Sequence, residues 1–163
     1  MDKIIHKTLN LILDELNIAI ALESNKPHYY TARGNIKTWS KDYSGAINDY
    51  NKAIDINPNQ TLPYYLRGKA KGSLGDYTGL LSDFDKVIEL GAKKREREIY
   101  SWEQVAYDMN ANIDYSFYES RARAKVHFED YSGAIEDYKK ALKDHPFLLN
   151  QYKSKALMVC KVV

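Results

Sequence analysis

Three arginines and three aspartates stand out as residues whose spacing could do chemistry. Arg33, Arg67 and Arg121 are each followed sixteen positions later by an aspartate, Asp49, Asp83 and Asp137. An arginine drawn into a contact between helices needs a partner, because burying an unpaired charge is costly. The spacing therefore predicts three inter-helix ion pairs, Arg33–Asp49, Arg67–Asp83 and Arg121–Asp137, that fix register. The alternatives are an anion-binding ladder of arginines, or aspartates paired instead with the lysines three places on, Lys52, Lys86 and Lys140. Lys37, Lys71 and Lys125 recur one turn after each arginine and read as a solvated rim.

Catalytic chemistry has little to stand on. His6, His28, His127 and His145 are scattered, without metal-ligand spacing to a cysteine or carboxylate. No glycine-rich phosphate loop, nucleophile elbow or HExxH motif occurs. The sequence reads as that of a non-enzyme with no cofactor and no metal. The lone Cys160 excludes an internal disulfide framework, fits a reducing compartment, and reads as a small buried hydrophobe.

The elements that must position these residues repeat. Asp42–Ile54 (DYSGAINDYNKAI) returns as DYTGLLSDFDKVI from Asp76 and as DYSGAIEDYKKAL from Asp130. The first two copies start 34 residues apart and the third is delayed by an insertion, a period that indicates stacked helical repeats. In each unit Tyr30, Tyr64 or Tyr118 precedes Gly34, Gly68 or Ala122, small residues that let a paired helix approach. An aspartate, Asp42 in the first unit, caps the following helix. That second helix carries Ala46, Tyr50 and Ala53, then Leu80, Phe84 and Val87, then Ala134, Tyr138 and Ala141.

This pattern resembles the tetratricopeptide repeat, with its aromatic, small residue, alanine, aromatic and proline at fixed offsets (Pro58 and Pro146 here, Ala92 in the second copy). The arginines depart from it, standing where the family usually has leucine. The resemblance implies an all-α fold, a right-handed superhelical array of helix-turn-helix repeats with extra helices at both ends. The expected single domain has an N-terminal half-repeat helix at 9–26, repeats at 27–60, 61–92 and 115–148, an insertion at 93–114 that is either one extra helix or a long extension of its neighbours, and a C-terminal helix at 149–163. Gly91 is expected to end the second helix of the middle repeat.

The resemblance further implies a non-catalytic interaction module or adaptor that binds a peptide or helix of another protein in a concave groove. The groove is lined by the first helix of each pair, with Asn35, Trp39, Tyr65, Lys69, Glu119, Arg123 and His127 as contacts, alongside His28, Thr31, Thr38 and Ser73. Trp39, Tyr65 and Arg123 are types that dominate binding energy, although Trp39 could equally pack on the next helix. One subset of the family clamps an acidic carboxyl tail of cytosolic chaperones. Asn35 matches one of its positions, while Thr31, Leu66, Ser116 and Ser120 replace others and disfavour that partner. The alternatives are self-association through the C-terminal helix or the insertion, giving a homo-oligomer, and a small secretion-type chaperone.

Bulk properties agree with an interaction protein. The 163 residues are 44% hydrophobic and 28% charged, enough for a core and without the bias of disorder. A net charge of +2 is too small to argue for nucleic acid. Glu96 and Glu98 interrupt the one basic run, Lys93–Glu98, which reads as a solvated helix start. No signal peptide or apolar stretch long enough to span a membrane is seen, and the expected location is the cytoplasm.

Overall fold

The computed structural model describes residues 2–97 and 115–144. Among them are seven helices and no strands: α1 (Asp2–Leu22), α2 (Pro27–Trp39), α3 (Tyr43–Ile56), α4 (Thr61–Ser73), α5 (Tyr77–Arg97), α6 (Tyr115–His127) and α7 (Tyr131–Asp144). The chain divides into two compact units, Met1–Asp76 and Tyr77–Val163.

Local chemistry sets the helix ends. Pro27 opens α2, where a missing N–H costs nothing. The Asp42 carboxylate accepts the Gly45 N–H at 2.9 Å to cap α3, and Asp130 accepts the Gly133 N–H at 2.9 Å at the start of α7. In both places a Cβ on the glycine would run into the capping carboxylate, so the glycine is what lets the cap close over the first turn.

The turns that close α2, α4 and α6 share one geometry. Lys41 (φ 62°), Gly75 (φ 83°) and Glu129 (φ 61°) are left-handed. The next residue's N–H reaches back to a lysine carbonyl: Asp42 to Lys37 at 2.9 Å, Asp76 to Lys71 at 3.0 Å and Asp130 to Lys125 at 3.0 Å. This is the Schellman closure, in which glycine is favoured because a Cβ is penalised at positive φ. Only the middle turn has the glycine. Lys41→Gly and Glu129→Gly are therefore expected to raise stability, each by roughly 0.5–1 kcal/mol, and Gly75→Ala to lower it by about 1 kcal/mol. Urea midpoints of the three variants check this.

In the first unit α2 packs on both α1 and α3, and α3 on α4. Ala46, Tyr50 and Ala70 are buried at its centre, with Tyr43, Ile47 and Leu66 against them. Gly34 is the close approach that makes room. A Cβ there would lie 2.6 Å from Tyr50 Cε1. In the second unit α6 packs on α5 and α7. Ala122, Ala134, Tyr138 and Ala141 form one cluster, and the fully buried rings of Phe84 and Phe117 stack at 4.5 Å.

Two expectations change. Helix α5 does not stop at Gly91 but continues to Arg97, so the charge run up to Arg97 belongs to α5 as an extension of it. One glycine inside a helix costs about 1 kcal/mol and ends it only where a left-handed cap follows. Helix α1 also starts earlier than residue 9 and stops at Leu22. The rest of the insertion (98–114) and the C-terminal helix (149–163), with Cys160, lie outside the described residues.

Candidate interaction surface

Underneath the exposed faces of α2 and α6 sits a charged layer. Arg33 on α2 meets Asp49 on α3 through Nη2–Oδ1 at 2.6 Å and Nε–Oδ2 at 3.0 Å. Lys37 Nζ lies 2.8 Å from the other face of the same carboxylate, at Oδ2. In the second unit Arg121 Nε donates to Asp137 Oδ2 at 2.7 Å, its Nη2 pairs with Oδ1, and Lys125 Nζ is 3.0 Å from Oδ2. The Asp137 side chain is fully buried and that of Arg121 is 8% exposed, against 19% for Arg33.

Lys37 and Lys125 are thus not a solvated rim. A carboxylate has about four lone-pair sites, and a bidentate arginine leaves room for a second cation. Each lysine also reaches the carbonyl of the glycine beneath the helix cap, Gly45 at 3.5 Å and Gly133 at 3.3 Å. The hydrogen bond with Asp49 raises the Arg33 guanidinium above its ordinary value, against the effect of burial. Burial works against the charge of Arg121. Its hydrogen bond to Asp137 and the charges of Asp137 and Asp85 outweigh that, so its value too is raised.

Sequence reasoning missed the third helix in each cluster. Arg33 Nη1 donates to Asn17 on α1 at 2.7 Å, and Arg67 Nη1 donates to Asn51 on α3 at 2.6 Å. Arg121 Nη1 lies 3.5 Å from Asp85 on α5. Each arginine therefore touches the helix that precedes its own, α1, α3 or α5. The available signal was the 34-residue recurrence of Asn17, Asn51 and Asp85. Arg67 lies in the first unit, and Asp83, itself buried, lies in the second. Of the alternative lysines, Lys86 bridges to Glu89 at 2.8 Å.

Above this layer the side chains of α2 divide into structural and available. Thr31 is buried and its hydroxyl donates back to the Pro27 carbonyl at 3.0 Å, so it is not a groove contact. Thr38 bonds the Gly34 carbonyl at 3.0 Å and lies 3.1 Å from the Tyr50 hydroxyl. That hydroxyl donates to Asn35 Oδ1 at 2.9 Å. The carbonyl end of Asn35 is thereby occupied and its orientation set, leaving the NH₂ end as the donor it can offer. Trp39 is 78% exposed and is not buried against a neighbour among the described residues. On α4 Lys69 is exposed and stands over the Tyr65 ring at 5.4 Å.

In the second unit Arg123 and His127 on α6 are exposed and Glu119 is half-buried. The His127 ring lies 4.6 Å from that of Tyr77 and 5.3 Å from that of Phe128. Burial pushes the Tyr138 phenol up, the charge of Glu119 adds to this and Arg123 opposes it. Burial likewise pushes up Tyr50, with the Thr38 hydrogen bond acting against it and Asp49 adding to it. A raised phenol keeps its proton in the fold after the unfolded chain has released it. The stabilisation is complete below about pH 10 and is lost as pH rises through the higher folded value. Melting temperature is accordingly expected to fall above about pH 10, less steeply in Tyr50→Phe, as an alkaline series would show.

Among the described residues no group of three or more histidine, cysteine or acidic side chains could hold a metal ion. No described helix is long and apolar enough to cross a membrane. Every buried side-chain nitrogen and oxygen among them has a hydrogen-bond partner.

Paired helices with an aromatic of one seated on the glycine of the other define a repeat fold, and comparison with known proteins names its class. Residues 34–75 match the TPR repeat family model. The crystal structure of MamA superposes with a TM-score of 0.63 at 19% identity, over 88% of this chain and 69% of that one. The Arabidopsis OM64 TPR domain gives 0.64 at 20%, over 84% and 96%. The first TPR of Spaghetti (RPAP3), solved bound to an HSP90 peptide, gives 0.64 at 18%, over 86% and 94%. No curated protein matches the chain in sequence. The fold is thus all-α and that of tetratricopeptide-repeat proteins.

Proposed function

We propose that this chain is a non-catalytic protein-interaction module that holds a peptide or helix of another protein. In the first unit the contact surface is the exposed side of α2 and α4, with Asn35, Trp39, Tyr65 and Lys69. In the second, α6 offers Glu119, Arg123 and His127. The observation that carries this reading is Trp39. An indole left 78% exposed beside an asparagine whose orientation is already set is the kind of anchor that binding energy concentrates on. Neighbours of the same fold, one solved with a peptide bound, support it.

The proposal includes repeats at 27–60, 61–92 and 115–148, and ion pairs that set register, Arg67 and Asp83 included. A double-mutant cycle on that last pair with no coupling would remove it. One cysteine in 163 residues supports a reducing, cytoplasmic setting. The test of the binding surface is capture of partners by the wild-type chain and by Trp39→Ala with Arg123→Ala. The double variant should lose about 2 kcal/mol or more of binding, roughly 30-fold, while keeping its circular dichroism. Equal capture by both proteins rules out the surface as drawn.

A further inference from the structure

Charge in the first unit is sorted by helix. Helices α2 and α4 carry Arg33, Lys37, Arg67, Lys69 and Lys71 and no aspartate or glutamate. Asp49, the acid beneath α2, is 3% exposed and already holds Arg33 and Lys37. Arg67 is bound to Asn51. Lys69 is the exposed cation of the two helices, and the Tyr65 ring holds its ammonium at 5.4 Å without neutralising it. Lys69 stands one 34-residue period after Asn35, and α2 touches α4. An ammonium and an amide therefore share one register position on neighbouring helices. Trp39 lies one turn beyond Asn35 and Tyr65 one turn before Lys69, each on the face of its neighbour.

The polar atoms offered at Asn35, Trp39 and Lys69 are all donors. The Tyr50 hydroxyl occupies Asn35 Oδ1 at 2.9 Å, so this amide presents its NH₂. An indole N–H and an ammonium have no acceptor atom at all. We propose that the α2–α4 surface takes an extended peptide with an internal aspartate or glutamate next to an apolar residue. The carboxylate meets the Lys69 ammonium, a main-chain carbonyl meets the Asn35 NH₂, and the apolar side chain lies on the Trp39 indole. This rests on the reading of that face as a binding surface and names the chemistry of its occupant. A chain-terminal carboxylate fits less well, because Thr31 is buried with its hydroxyl on the Pro27 carbonyl and Leu66 has no donor to give. A nucleic acid needs several cations on its phosphates, and one exposed lysine on two helices does not supply them. A basic segment meets only donors and like charge.

The test uses the full chain and short peptides of one apolar pattern, acetylated and amidated, with glutamate, glutamine or lysine at the same positions. Amide shifts on titration should concentrate at 35–39 and 65–69. The glutamate peptide should bind roughly tenfold tighter than the glutamine peptide, with the lysine peptide weakest, and Lys69→Glu should invert that order. Circular dichroism checks that this surface variant keeps its fold. Equal affinity for the glutamate and glutamine peptides, or an order that Lys69→Glu leaves unchanged, overturns the proposal. So does binding that needs a free carboxyl terminus on the glutamate peptide, or displacement of that peptide by oligouridylate. Trp39→Ala separates the two readings. If it weakens all the peptides alike while their charge makes no difference, the surface stands and the acidic occupant falls. If no peptide shifts α2 or α4, both fall.

Discussion

Asp137→Ala is expected to destabilise the fold by about 3–5 kcal/mol, because it leaves two cations facing each other without an anion. Arg121 is nearly inaccessible, and Lys125 is held within 3.0 Å of the carboxylate that would be lost. Asp85, largely exposed and 3.5 Å from the guanidinium, compensates only in part. The equivalent Asp49→Ala should cost less, about 2–3 kcal/mol, because the more exposed Arg33 can recover water and keeps its bond to Asn17. Urea unfolding reads both. The midpoint should shift in that order with the slope unchanged. Replacing Arg121, Lys125 and Asp137 together by apolar residues of similar volume should recover most of the loss, since the cluster's desolvation cost disappears with it. If the triple replacement is as unstable as Asp137→Ala alone, the penalty does not come from unpaired charge.

Tyr50→Ala is expected to cost about 3–5 kcal/mol, the range for emptying a buried aromatic site. Tyr50 is fully buried, its ring lies over Gly34 and its hydroxyl joins Asn35 and Thr38. Tyr50→Phe should cost only about 1–2 kcal/mol, losing one hydrogen bond and leaving Asn35 Oδ1 without its donor. Gly34→Ala should cost about 1–3 kcal/mol by overpacking. Made in the Tyr50→Ala background, the same substitution should cost little, because the new methyl then enters the space the ring left. Thermal unfolding of the four proteins measures this coupling. Additive losses would mean that Gly34 is small for some other reason.

Much of this fold can be read from the chain alone. A hairpin whose aromatics and small residues recur at 34 positions can bury them in only one arrangement, helix against helix. An arginine sixteen residues before an aspartate is the distance from one helix, around a turn, to the facing side of the next. The proline, the capping aspartates and the closing turns are likewise local chemistry. The expectation failed at Gly91, because one glycine inside a helix costs only about 1 kcal/mol and does not by itself end it.

What tertiary structure decided concerns groups whose partners come from three helices at once. Periodicity places Lys37 and Lys125 on a face, but not whether their ammonium groups reach water or the unused side of a carboxylate. It puts Asn35 on α2, but not that Tyr50 has already claimed its carbonyl. It shows Trp39 as apolar without showing that its indole is left 78% exposed. Helix α1 carries two apolar stripes, and the sequence treats them alike. Only packing shows that one is half-buried while the other, with Glu15 inside it, is exposed among the described residues, because burial belongs to the neighbour as much as to the residue.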